Sequence, residues 1–367
     1  MWSGAIGARR SRNLLATVVG TALIAGVVLA APANALSASG QPRPTPAPSA
    51  PGISIAVSHQ LDLPDPFLLA ARGKYYLYLS TAFADATESN IPVLVGRPGH
   101  WGPASDALPS LPPWGLPAAT GARVWSPNVV HLGNRYVMYY AAQLAGNSLA
   151  EHCIGVATAR SPAGPFTPVP GPPIVCQLAL GGDIDAQVFT DPGGPRGPRH
   201  PAYLVWKSDQ NDLPGLNLTS IWAAPLSNDG LRLEGAGVQI FSAHLPWQEP
   251  VLEAPQMVRA PDGTAWLFYS AGTGFYSPRY AMGVARCAGP LGGCHDVASG
   301  PFLASNAQGA GPGEETVFVA ADHSTWILYS PWHTGDVSRP ARPVEAVRIG
   351  WRSRGPYVAE AGRFPSP

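Results

Sequence analysis

The chain has 367 residues, of which 13% are charged, with 23 acidic and 23 basic side chains in balance. So low a share of charge, evenly split, provides no field to recruit nucleic acid or an anionic membrane, and long polyanions are excluded as partners. Gly (41) and Pro (42) suit many short strands joined by tight turns, and eleven Trp with twelve Tyr offer flat apolar faces that serve as core or as sugar-stacking surfaces.

Residues 1–35 read as a signal peptide. Arg9, Arg10 and Arg12 form a basic start, residues 14–31 are apolar, and Ala33-Asn34-Ala35 fits the small-x-small cleavage pattern. The apolar stretch is nearly long enough to span a bilayer, so an uncleaved anchor is the competing reading. Arg9-Arg10 leaves a twin-arginine route open. Residues 36–52 are a linker rich in Pro, Ser and Ala. The expected product is a secreted monomer that is free of the membrane after cleavage.

Residues 53–367 read as one catalytic domain built on a repeat. Asp65-Pro66-Phe67, Trp125-Ser126-Pro127, Ile184-Asp185-Ala186, Glu253-Ala254-Pro255 and Glu314-Glu315-Thr316 recur at steps of about 60 residues, the length of a four-stranded propeller blade with generous loops. Each motif is followed by a turn, such as Leu132-Gly133-Asn134 or Pro261-Asp262-Gly263, and then by an aromatic strand: 75–80, 136–141, 203–208, 266–270 and 326–330. Third strands are read at 154–157, 221–224, 282–285 and 344–349, with Gly-Val-Ala in two of them. Helical periodicity is absent outside the signal region. The expected fold is all-β: a five-bladed β-propeller of four-stranded antiparallel blades around a central channel.

Four cysteines in an exported chain imply two disulfides, for which three pairings exist. Cys153–Cys176 and Cys287–Cys294 are expected, because each pair lies within one repeat and staples neighbouring strands. Neither pair has the close spacing of a zinc knuckle.

The first strand of a blade lies nearest the axis, so residues at its start meet in the central channel. Taken singly, Asp-Pro and Glu-Ala-Pro are ordinary turn chemistry. Three acids in equivalent slots of one repeat point instead to a shared pocket holding Asp65, Asp185 and Glu253. Two carboxyl groups are the usual equipment for cleaving a glycosidic bond, and a third negative charge nearby keeps the acid protonated.

The ordered set Asp-Pro-Phe, Trp-Ser-Pro, Ile-Asp-Ala-Gln-Val-Phe-x-Asp, Glu-Ala-Pro and Tyr-x-Met-Gly-Val-Ala resembles glycoside hydrolase family 43, over residues from about 60 to 350. The resemblance implies a five-bladed propeller and an inverting hydrolase acting on arabinofuranosyl or xylosyl linkages of plant-type or cell-wall oligosaccharides and polysaccharides, an α-L-arabinofuranosidase or a β-xylosidase. It makes Asp65 the general base, Asp185 the group that tunes and orients the acid, and Glu253 the general acid. Trp125 becomes a sugar-stacking wall or a filler between blades. Lys207 touches substrate or pairs with Asp209, and Arg348 meets the sugar or sits solvated on an edge strand. Family members often hold a central cation with a histidine at the start of the fifth blade. The corresponding run 311–316 has none, so a calcium site of the usual kind is not expected and no cofactor is expected to be required; either Glu314 or Glu315 binds a hard cation directly, or the pair sits exposed at the mouth of the channel. His323 and His333 are expected to be structural. The segments 82–117 and 209–218 read as long loops that wall off one end of the channel, which favours exo action.

Two alternatives compete. One is a carbohydrate-binding propeller without turnover. The other is a fructan-active propeller, against which Ile184-Asp185-Ala186 stands where Arg-Asp-Pro would be required.

Overall fold

The computed structural model describes residues 52–367 except 57–61, 82–88, 148, 150, 193–200, 214, 216–217, 308, 333–341 and 361. The signal peptide, nearly all of the linker and His333 lie outside the described residues. Residues 47–367 form one compact unit, a ring of five antiparallel sheets. From the axis outward, blade 1 is Phe67–Ala71, Lys74–Tyr78, Pro92–Arg97 and His100–Trp101; blade 2 is Val124–Leu132, Arg135–Gln143, His152–Ala159 and Thr167–Pro168. Blade 3 is Asp183–Thr190, Ala202–Ser208, Ser220–Pro225 and Val238–Ser242; blade 4 is Val251–Arg259, Ala265–Gly272, Ala281–Cys287 and His295–Asp296. Blade 5 is Thr316–Val319, Thr325–Tyr329 and Val344–Arg352, and its outer position is filled by Ile53–Ala56 from the start of the domain. That strand pairs Ile53 with Ala346 and Ala56 with Val344, so the two ends of the domain are stitched into one blade and the ring is closed.

The second strands are buried on both faces, which explains their continuous apolar runs. Each junction between neighbouring blades has its own apolar cluster. Tyr78 and Val93 of blade 1 meet Met138 and Tyr140 of blade 2, while Leu68 and Leu77 of blade 1 meet Trp326 and Leu328 of blade 5. The Gly-Val-Ala recurrence has a packing cause. Gly155 faces Tyr140 and Gly283 faces Tyr269 across the ladder, and a Cβ at either glycine would fall 2.5 Å or 2.2 Å from the ring. Any larger residue there would displace a buried tyrosine.

Both expected disulfides are present, Cys153–Cys176 and Cys287–Cys294. One loop expectation is corrected. Segment 82–117 contains the third and outer strands of blade 1, together with Ser105–Asp106, which also pairs with the third strand. The third strand begins at Pro92 and the three run only two to six residues, so the segment gives little periodic signal. The strand Gly355–Ala359, paired with Val344–Arg352, lies beyond the read repeat.

Candidate active site

At the start of each inner strand one residue is in the left-handed region: Asp65 (φ 47°), Ser126 (52°), Asp185 (58°), Ala254 (50°) and Glu314 (55°). Non-glycine residues seldom adopt this conformation, and its recurrence once per blade marks an imposed geometry. In blades 2, 3 and 4 the strand register shifts around it, between Trp125 and Asn128, Ile184 and Gln187, and Glu253 and Gln256. Bulges of this kind re-aim side chains beside active sites. They also correct the repeat register. Asp65 and Asp185 are equivalent, but Trp125 and Glu253 precede the equivalent position by one residue and Glu315 follows it by one.

Side chains of the preceding blade bind four of these five backbone N–H groups. Ser126 N–H donates to Ser80 Oγ (2.7 Å), Ala254 N–H to Asp185 Oδ2 (2.8 Å), Glu314 N–H to Ser270 Oγ (3.0 Å) and Asp65 N–H to Glu314 Oε2 (3.3 Å). Four of the strained positions are thereby stitched blade to blade, each donor finding a side-chain acceptor where it departs from ladder pairing.

Asp65, Asp185 and Glu253 do come together. They line one cavity of about 240 Å³ with Trp125, Lys207, Asp209, Tyr276, Glu314 and Arg342, and all five blades contribute to its wall. Asp185 is held on both oxygens, by Ser126 Oγ (2.6 Å) and by the Ala254 N–H next to Glu253. Burial and then the Glu253 charge push its carboxyl up to about 6. Asp65 accepts a hydrogen bond from Ser80 on Oδ2. Burial, followed by the charges of Glu314 and Asp185, raises its carboxyl well above the ordinary value.

Glu253 is clamped at both oxygens: Tyr280 OH donates to Oε1 at 2.6 Å and Lys207 Nζ to Oε2 at 3.0 Å. Lys207 is buried and also pairs with Asp209 Oδ1 at 2.7 Å. Burial alone would lower its pKa, but Asp209, Glu253 and Asp185 outweigh burial and keep it charged. The structure thus pairs Lys207 with Asp209, as one expectation had it, and with Glu253 as well, in place of direct substrate contact. Trp125 lines the cavity, with its ring stacked on His152 at 4.0 Å and 12°.

Arg348 is a correction. It is exposed in mid-strand opposite Trp326, and with the Ser324 hydrogen bonds it helps to hold Asp322 below the usual carboxylate range in the hairpin of the far face. The pocket arginine is Arg342. It pairs with Asp62 through Nε and Nη2 (both 2.9 Å) and with Glu314 through Nη1 (2.7 Å), and it lies over the Phe275 and Trp332 rings. No spacing signal singled it out. Ser80 and Ser270 did carry one, as the serine that ends the aromatic strand, and Tyr280 opens the Tyr-x-Met-Gly-Val-Ala motif. His323 stands exposed in the same far-face hairpin.

Beneath the pocket a second cavity of about 30 Å³ is lined by Asn128, Gln256 and Glu315 with Asp65, Asp185 and Glu314. Calcium needs several oxygen ligands. The amide oxygens of Asn128 and Gln256 accept the N–H groups of Val188 (3.2 Å) and Val317 (3.3 Å), and Glu314 is engaged by Arg342. Glu315 gives one oxygen to Ser270, and its Oε1 is buried without a hydrogen bond. Burial pushes the Glu315 carboxyl up to about 8. Among the described residues no three His, Cys, Asp or Glu side chains cluster to hold a metal.

Comparison with known proteins agrees with this geometry. The chain is similar in fold to a thermostable family-43 glycoside hydrolase (TM-score 0.69, 24% identity, covering 86% of this chain and 98% of that one). It is also similar to an endo-1,4-beta-xylanase from Bacteroides thetaiotaomicron VPI-5482 (0.64, 21%, 85% and 97%) and to an alpha-L-arabinofuranosidase from Lactobacillus brevis (0.63, 18%, 85% and 98%). No curated protein sequence matches it. The family model for glycosyl hydrolases family 43 matches residues 57–356, and the chain belongs to that family.

Proposed function

We propose that this protein hydrolyses arabinofuranosyl or xylosyl linkages of plant-type or cell-wall oligosaccharides by an inverting mechanism, in the exo direction. The observation that carries the proposal is the convergence of Asp65, Asp185 and Glu253 in a pocket walled by all five blades. Asp65 keeps Oδ1 without a hydrogen bond among the described residues, so that oxygen is available to a water. It takes the proton as the water oxygen bonds to the anomeric carbon. Glu253 gives its proton to the departing glycosidic oxygen as the carbon–oxygen bond breaks. Asp185 positions the acid through the Ala254 N–H, and its negative charge opposes that of Glu253. Residues of all five blades line the pocket, and a chain end enters a pocket where a mid-chain segment needs a groove, which supports exo action. The two disulfides support export to an oxidising compartment.

The test is turnover of p-nitrophenyl α-L-arabinofuranoside and β-xyloside, of xylotriose and of arabinotriose, with and without a chelator. Release of one sugar at a time, inverted at the anomeric carbon and insensitive to the chelator, is the expected result. Sugar binding without any turnover above that of the Asp65→Asn, Glu253→Gln double variant would make the protein a binding propeller instead.

A further inference from the structure

We infer that Tyr276 is the stacking platform for the sugar on the leaving-group side of the scissile bond, an inference that rests on the hydrolase reading of the same pocket. The argument begins with Glu253. A general acid must lie beside the oxygen it protonates, so the departing sugar lies on the side of the pocket where Glu253 stands, which is blade 4.

The connection between the second and third strands of blade 4, residues 273–280, rises on that side. Its last residue, Tyr280, donates to Glu253 Oε1 at 2.6 Å. Four residues earlier Tyr276 lines the mouth of the cavity with 62% of its surface exposed. One short loop therefore orients the acid with one tyrosine and presents a bare ring with another.

The ring is held in place although it is exposed. Gly274 has φ 95°, and a Cβ there would fall 3.0 Å from Tyr276 Cε1, so the ring rests against backbone that only glycine leaves free. Phe275 meets Tyr276 edge-on with ring centroids 5.5 Å apart. The Phe275 carbonyl accepts Trp332 Nε1–H at 2.6 Å, and Ser277 N–H closes the turn onto the Gly274 carbonyl at 3.1 Å. An aromatic side chain fixed this way loses little entropy when a sugar covers it, and it presents a flat face to the apolar side of a neutral sugar ring. Trp125 belongs to blade 2, so the two aromatic residues serve different rings of the substrate.

The experiment compares substrates with and without a sugar on that side. Xylotriose and arabinotriose carry a leaving sugar, whereas β-xylosyl fluoride and α-L-arabinofuranosyl fluoride lose only fluoride. Tyr276→Ala should lower kcat/KM on the trisaccharide about tenfold, mainly through KM, and leave the fluoride within about twofold. Tyr276→Phe should restore the trisaccharide rate. Equal losses on both substrates, no loss on either, or a Phe variant as poor as Ala would overturn the assignment. If the wild type turns over neither substrate, the hydrolase reading fails by itself, and calorimetric titration with the trisaccharides then decides the platform. Binding weakened about tenfold by Tyr276→Ala supports it, and unchanged or undetectable wild-type binding removes it.

Discussion

Asp65 and Glu253 face the same pocket, and their surroundings differ in kind. Glu253 is clamped on both oxygens, by the Lys207 ammonium and the Tyr280 hydroxyl. Asp65 receives one serine hydroxyl, while the nearby cation, Arg342, is engaged by Asp62 and Glu314. The clamped group has a fixed direction, which the proposed proton transfer to one glycosidic oxygen calls for. The open group has an unoccupied oxygen and a raised proton affinity, as a base that meets a water requires. In the proposed mechanism two carboxylates thereby take two roles from their neighbours.

The bluntest way to break this contrast is to neutralise each acid. Asp65→Asn and Glu253→Gln should each lower kcat/KM on an unactivated disaccharide about 10²–10⁴-fold with the fold intact by circular dichroism. Loss of one side of the clamp is milder. Tyr280→Phe should cost about tenfold in kcat/KM, near the worth of a hydrogen bond to a charged group, and a loss confined to thermal stability would deny the tyrosine a positioning role.

The open side is sharpened by pH. A base must be ionised, and the Asp65 carboxyl is raised, so activity should fall on acidification at a pH above the ordinary aspartate range. Ser80→Ala removes a hydrogen bond that lowers this value, so the acid limb of the kcat/KM profile should move further up; an unmoved limb would assign it to another group.

The smallest effect lies below the pocket. Glu315 is raised to about 8 by burial, so the folded state binds its proton more tightly than the unfolded chain does. The resulting stability is complete below the unfolded value of 4.5 and is lost as pH rises through about 8. Glu315→Gln should therefore leave Tm nearly unchanged at pH 4 and raise it at pH 9, as read by differential scanning fluorimetry.

The blades were legible because turn residues, aromatic second strands and Gly-Val-Ala third strands repeat at a fixed period, and each follows from packing that every blade shares. The three acids that line the pocket were legible for the same reason. Three things were not. Ring closure by Ile53–Ala56 joins residues almost 300 positions apart and leaves no local trace. The left-handed residue falls on Asp, Ser, Asp, Ala and Glu, with no shared side-chain chemistry, so the repeat was aligned one residue off in three blades. Arg342 reaches the pocket from the connection between the second and third strands of blade 5, where no motif recurs, and Arg348, on a readable strand, drew the assignment in its place.

Leaving-group dependence of the Glu253→Gln variant tests the division of roles most directly. Against wild type, the variant should lose a large factor on a p-nitrophenyl or alkyl glycoside and little on the 2,4-dinitrophenyl glycoside, whose departing oxygen needs no proton, while Asp65→Asn loses the same factor on both. Equal losses for Glu253→Gln on good and poor leaving groups would contradict its role as the acid.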